Sequence, residues 1–137
     1  METLMVLFTT VSLQFGLEPG VLESVCWVES RYNVNAIHKN DGGEDSLGLC
    51  QIKLSTAQWL GFKGTSRDLM RPKNNIYYAA KYLAYQTNRY NNTVRGIVAY
   101  NMGNSYQLNS SSYSDKVISK VREYRRNGET FCYANGN

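Results

Sequence analysis

Glu29 lies in the stretch Val21-Leu22-Glu23-Ser24-Val25-Cys26-Trp27-Val28-Glu29-Ser30, at a position that helical spacing reserves for apolar side chains. Leu22, Cys26 and Glu29 fall at i, i+4 and i+7, so a helix places all three on one face with Val25 beside them. A carboxyl on a core-facing stripe is desolvated, its ionised form is disfavoured and its pKa rises. That is how a Glu becomes able to hold and deliver a proton near neutral pH. The alternative is a Glu at a helix end that reaches solvent or pairs with Arg31. Two later segments offer polar groups suited to work with such an acid. Gly48-Leu49-Cys50-Gln51-Ile52 supplies a permissive backbone and a side-chain amide just after a polar loop. Ala99-Tyr100-Asn101-Met102-Gly103 supplies a phenol and an amide at a helix end. Taken singly, Gln51 reads as a surface residue and Tyr100 as a core aromatic with its hydroxyl at the rim.

The elements that must position these groups are helical. Residues 2–15 predict an apolar-rich helix stopped by Gly16, and Pro19 suits the first turn of a second helix that ends near Ser30. Glu29 therefore sits at a helix C-terminus, where the negative end of the dipole also disfavours its charge. Residues 32–46, with Asn33, Asn35, Asn40, Asp41, Gly42 and Gly43, read as a long polar loop of the kind that is functional or mobile. Ser55 is expected to cap a short helix through Leu60 that Gly61 ends, and Pro72 to open the longest helix, to about Tyr90. Its apolar stripe is Ile76, Ala79, Ala80, Leu83 and Thr87, and Asn91-Asn92 breaks it. Thr93 is expected to cap the next helix, closed by Gly103. After a serine-rich loop, Gln107 to Ser112, a last amphipathic helix runs from Tyr113 or Ser114 to Asn127, followed by Gly128. The expectation is one all-α domain over residues 1–137 with the Pro72 helix at its centre, or α+β through a small strand pair within residues 40–55.

Composition narrows the function classes. The chain has 137 residues, enough for a hydrophobic core without staples. All 15 basic residues lie at or beyond Arg31, and Lys116, Lys120, Arg122, Arg125 and Arg126 crowd the C-terminal region. Such a region suits an anionic partner, although a solvated helix face is the simpler reading. The three cysteines, Cys26, Cys50 and Cys132, support neither a disulfide framework nor a zinc site. Cys26 reads as a buried small hydrophobe, and at most one pair can form, which one being undetermined. Leu4-Met5-Val6-Leu7-Phe8 lacks the basic flank of a signal peptide and is read as helix; no stretch reaches the length of a membrane span. There is no phosphate-cradling glycine loop and no Ser-His-Asp order around the only histidine, His38. A nucleic-acid module is disfavoured because Tyr77, Tyr78, Tyr82 and Tyr85 share a helix with the core stripe. Tyrosine abundance suits stacking on sugars as well as packing.

The ordered set Glu29-Ser30, Gly48-Leu49-Cys50-Gln51-Ile52, Ala79-Ala80-Lys81-Tyr82-Leu83 and Ala99-Tyr100-Asn101-Met102-Gly103 resembles the soluble lytic transglycosylase family, with its lysozyme-like fold. Lys53, Thr56-Ala57 and Pro72 fit as well, and the match extends from Val21 to Gly103. The resemblance implies peptidoglycan as substrate, cleaved between N-acetylmuramic acid and N-acetylglucosamine to leave a 1,6-anhydromuramic end, with no cofactor. It implies Glu29 as the single acid/base, Tyr100 with its hydroxyl on Glu29, Gln51 and Asn101 along the sugar subsites, and Ser30 bracing the turn after the acid. The 2-acetamido group of the substrate would replace the second carboxylate of ordinary glycosidases.

Departures from the family pattern set the alternatives. Cys50 stands where the family usually has Met, and His38 stands where a Ser commonly follows the Asn-x-Asn-Ala stretch, with Ser46 as the substitute hydroxyl. His38 is read as an exposed loop residue, a substrate contact being the other possibility. Asp41, Glu44 or Asp45 is able to place a water on the opposite sugar face, which would make the protein a hydrolysing muramidase. A non-catalytic wall-binding or virion structural module is the third reading, against which a desolvated acid argues. The substrate lies in the bacterial envelope and no export signal is visible. A phage protein, carried in the virion or released at lysis, is therefore expected, with an exported conjugation or secretion protein as the alternative.

Overall fold

The computed structural model describes residues 3–134, with side chains through residue 128. Its helices are α1 (Leu4–Phe15), α2 (Val21–Ser30), α3 (Leu54–Trp59), α4 (Ser66–Leu69), α5 (Pro72–Tyr90), α6 (Thr93–Met102) and α7 (Ser112–Ala134). Between α2 and α3 lie strands β1 (Ile37–Asp41), β2 (Glu44–Leu47) and β3 (Ile52–Lys53), an antiparallel sheet in the order β1-β2-β3. The polar loop expected over residues 32–46 is thus largely a hairpin. Period-2 alternation is absent because β1 is exposed along its whole length. What the sequence does carry is the turn: Gly42 and Gly43 take φ of 70° and 93°, as a two-residue hairpin loop requires.

Several boundaries shift for local reasons. Pro19 precedes α2 instead of opening it, because left-handed Gly20 separates them. Ser55 lies inside α3, and its backbone N–H and hydroxyl both donate to the Glu44 carboxylate, so an acid from β2 does the capping. Asn92, not Thr93, caps α6 by accepting from the Arg95 N–H. Thr65 and Asp68 form a reciprocal capping box for α4, which the apolar pattern did not reveal. Gly128 does not end α7, which continues to Ala134.

Helix α5 is the axis of the molecule. Its buried Ile76, Ala79, Ala80 and Leu83 meet Phe8 and Val11 of α1, Leu22, Val25 and Cys26 of α2, Ile97 and Tyr100 of α6, and Val117 and Val121 of α7. Gly96 lets α6 approach closely, since an added Cβ there would stand 2.6 Å from the Thr87 Cα. A second cluster, Leu47, Ile52, Ala57, Phe62 and Leu69, lies under the sheet against Tyr78 and Tyr82. Leu49 and Cys50 belong to the first cluster and Leu47 and Ile52 to the second, so the segment Gly48–Gln51 joins the two.

That segment is held by Asn75, fully buried on α5. Its Oδ1 accepts from the Cys50 N–H at 2.7 Å, and its Nδ2 donates to the carbonyls of Leu47 at 2.9 Å and Leu69 at 3.0 Å. Gly48 makes room for it: with φ of +77°, an added Cβ would come within 2.9 Å of the Asn75 Cγ. Asn75→Ala leaves one buried donor and two buried acceptors without partners, and is expected to destabilise the fold by roughly 3 kcal/mol. Chemical denaturation of the two proteins at one pH measures it.

Candidate active site

Glu29 occupies the penultimate position of α2, and the chain leaves the helix abruptly because Arg31 and Tyr32 both take left-handed conformations, φ of 54° and 63°. Ser30 fixes that exit. Its hydroxyl donates to the Leu49 carbonyl at 2.6 Å and accepts from the Asn33 N–H at 3.1 Å. The brace therefore ties the turn after Glu29 to the Gly48–Gln51 segment as well.

A covalent tie runs alongside it. Cys26 and Cys50, 24 positions apart in sequence, form a disulfide. Cys26 is buried as its helical position requires, but it is not the isolated small hydrophobe expected: packing α2 against the Gly48–Gln51 segment puts the second sulfur beside it. The side chain of Cys132 lies outside the described residues.

Glu29, Ser46, Gln51, Tyr100 and Asn101 line one cavity of about 230 Å³, together with Asp41, Tyr82 and Gly103. All the site residues expected from the sequence thus meet in one place, but they do not bond as expected. Tyr100 is buried and donates its hydroxyl to the Cys50 carbonyl at 2.7 Å, so it fixes the wall of the cavity and not the acid. The phenol that reaches Glu29 belongs to Tyr113, whose hydroxyl donates to Glu29 Oε2 at 2.7 Å. Tyr113 opens a stripe continued by buried Val117 and Val121, a polar-tipped residue at the head of an apolar face, which is the same signal that marked Glu29.

Gln51 spends its amide N–H groups on the carbonyls of Ala36 at 3.1 Å and Gly48 at 2.9 Å, which leaves its Oε1 as the group to offer a ligand. Asn101 is exposed on the cavity rim. Ser46 is buried and donates to Asp41 Oδ2 at 2.7 Å. Of the acids expected near the hairpin, Glu44 caps α3 and Asp45 accepts from the Asn40 N–H and pairs with Lys39. Only Asp41 among these three faces the cavity. The β1/β2 register slips between His38 and Asp41, and such an irregularity redirects the side chains beyond it. His38 is exposed on β1 and does not line the cavity.

The electrostatics suit proton transfer. Burial pushes the Glu29 pKa up to about 7; the Tyr113 hydrogen bond opposes the rise and the nearby Asp41 charge adds to it. Burial, with the Glu29 carboxyl close by, holds both the Tyr100 and Tyr113 phenols above the usual tyrosine range, so each remains a donor. The site therefore contains a carboxyl poised between its two protonation states, a fixed donor on one of its oxygens and a second carboxylate nearby. Among the described residues no group of three or more His, Cys, Asp or Glu stands together to hold a metal ion. Nor is any described helix long and apolar enough to cross a membrane.

A family model described as the transglycosylase SLT domain matches residues 7–122. X polypeptide of Escherichia coli is 32% identical over 98 residues, covering 70% of this chain and 58% of the relative. The endo-type membrane-bound lytic murein transglycosylase A of Salmonella enteritidis is 31% identical over 81 residues, 54% of this chain and 38% of the relative. The chain thus spans less than two thirds of the length of these curated relatives. Among solved structures, an inactive mutant of the lytic transglycosylase Slt from Pseudomonas aeruginosa superposes with a TM-score of 0.65 at 20% identity, over 85% of this chain and 20% of that one. That likeness shows the lysozyme-like fold. The phage source expected from the sequence is not shown by these relatives.

Proposed function

From the premise that the chain belongs to the transglycosylase SLT domain family, we propose that it is a peptidoglycan lytic transglycosylase. It cleaves the β-1,4 bond between N-acetylmuramic acid and N-acetylglucosamine, and Glu29 is its single acid/base. The observation that carries this reading is the Glu29 carboxyl itself: half-buried, with its pKa near 7, on a polar cavity and bonded on one oxygen by Tyr113.

The steps follow from those properties. Protonated Glu29 gives its proton to the glycosidic oxygen as the bond to muramic C1 breaks, and the substrate's 2-acetamido group stabilises the positive centre that develops. The carboxylate left behind then takes the proton from the muramic C6 hydroxyl as that oxygen closes on C1, which yields the 1,6-anhydro end and restores the acid. One group serves both steps because its pKa lies close to neutral, where neither protonation state is far away. Tyr113 holds Oε2, so Oε1 is the oxygen free to carry the proton. Tyr100, Gln51 and Ser30 act on the frame: they secure the Gly48–Gln51 segment, whose Gln51 lines the cavity with Glu29.

Asp41 supports a second reading. Its carboxylate lies on the same cavity, held by Ser46 and near enough to raise the Glu29 pKa, and a carboxylate in that place is able to orient a water for hydrolysis. Digesting purified peptidoglycan and weighing the muropeptides separates the two. Anhydro ends, lighter by one water or about 18 Da, are expected; reducing ends would make the protein a muramidase, and no release at all would leave a wall-binding module. Asp41→Asn sharpens the test. Under the transglycosylase reading it slows the reaction by less than about 10-fold and keeps the anhydro product, whereas a muramidase would lose about 100-fold or more.

A further inference from the structure

The groove that holds Glu29 does not stop at Gly103. A second concavity of about 330 Å³ adjoins it, walled by Trp59, Tyr85 and Arg89, and Thr56, Tyr82 and Gly103 line both. Trp59 is 63% exposed and Tyr85 is 41% exposed, although both are large rings that folding normally covers. They are locked to each other edge to face, with centroids 4.8 Å apart and planes at 82°. In that arrangement the ring that offers its edge has neither of its faces covered by its partner. The arm of Arg89 is laid along the rim by hydrogen bonds to Gln86 Oε1 and the Gly103 carbonyl, each 3.3 Å, so polar groups border the aromatic surface at fixed positions.

A flat apolar ring bordered by fixed polar groups matches a pyranose, whose axial C–H groups form an apolar face while its hydroxyl and acetamido groups project from the edge. We propose that Trp59 and Tyr85 form a distal subsite that stacks on a sugar ring of the β-1,4-linked aminosugar chain whose scissile bond lies at Glu29. The occupant is set by continuity: the three shared lining residues make this surface the extension of the Glu29 cavity, so a chain threaded through one reaches the other. This subsite rests on the reading of the cavity given above and goes beyond it by assigning a preference for long glycan strands to two exposed aromatic residues. The pair is preorganised, since neither ring must be ordered when the chain arrives.

The experiment uses the Glu29→Gln protein, which binds without turning over, and calorimetric titration with N-acetylglucosamine trisaccharide and hexasaccharide. The hexasaccharide is expected to bind about 10-fold more tightly than the trisaccharide. Adding Trp59→Ala should bring that ratio close to 1, Tyr85→Ala should lower it, and Trp59→Phe should retain most of it, because the ring face and not the indole N–H makes the contact. Melting curves of each variant accompany the titrations, and the conservative Phe variant tests the subsite even if an Ala variant is poorly folded. A ratio that survives Trp59→Ala, or one already near 1 in the parent, overturns the subsite. Muropeptide release by the unmodified protein is read in parallel. If release proceeds while the ratio behaves in either of those ways, the subsite alone is wrong; if nothing is released and neither oligosaccharide binds, the transglycosylase reading falls with it.

Discussion

Glu29→Gln is expected to reduce muropeptide release by about 1000-fold or more, because the amide can neither deliver a proton to the leaving oxygen nor take one from the C6 hydroxyl. The same substitution should make the protein more stable above pH 7. Glu29 has its folded-state pKa raised from 4.5 to about 7, so the folded protein binds this proton more tightly than the unfolded chain does. Stability contributed by the neutral carboxyl is therefore complete below about pH 4.5 and is lost as pH rises through about 7. Gln has no charge to desolvate and keeps an oxygen for the Tyr113 hydroxyl. At pH 8 the variant should gain about 2 kcal/mol over the parent, allowing for the partial exposure of the group, and at pH 4 the two should melt together. Denaturation at both pH values, with peptidoglycan turnover, checks the pair of effects. A variant that is inactive yet no more stable at pH 8 would mean that the carboxyl is not desolvated, and a variant that keeps its turnover would remove Glu29 from the mechanism.

Tyr113→Phe carries the second-largest expected effect. It removes the hydroxyl that donates to Glu29 Oε2 at 2.7 Å and leaves the ring in place. Activity should fall by about 10- to 100-fold, the range for loss of a hydrogen bond that orients an acid/base. The pH profile distinguishes this from simple loss of packing. Because the Tyr113 hydrogen bond lowers the Glu29 pKa, its removal lets burial and Asp41 push that pKa above 7, and the alkaline limb of the rate profile should move to higher pH. An unmoved limb with reduced activity would make Tyr113 a packing residue only.

Much of the scaffold was legible because it is governed by neighbours in sequence. The stripe through Leu22, Val25 and Cys26 places α2, Pro72 marks the start of α5, and Gly16 and Gly103 end α1 and α6 in left-handed conformations. Most missed boundaries moved by a residue or two for local reasons, Asn92 capping α6 in place of its neighbour Thr93, but at α3 a longer-range partner had replaced the local one. Glu44 caps α3 from 11 residues away, so Ser55 did not need to do so. The hairpin was obscured because β1 buries nothing and therefore lacks alternation, leaving only the Gly42-Gly43 turn to announce it.

By itself the sequence determined that an acid sits on an apolar helical face at the end of α2; its resemblance to a known family supplied the neighbours, Ser46, Gln51, Tyr100 and Asn101, which all line one cavity. Only the tertiary structure decided how they are wired. It bonds Glu29 to Tyr113 across 84 residues, sends the Tyr100 hydroxyl across 50 residues to the Cys50 carbonyl, joins Cys26 to Cys50, and hangs the Gly48–Gln51 segment on Asn75. The physical reason is one of range. Periodicity and capping act over a turn or two of chain and are written in adjacent residues, whereas a hydroxyl has a single proton to donate. Which carbonyl or carboxylate receives it depends on a few ångströms set by how α2, α5, α6 and α7 pack together.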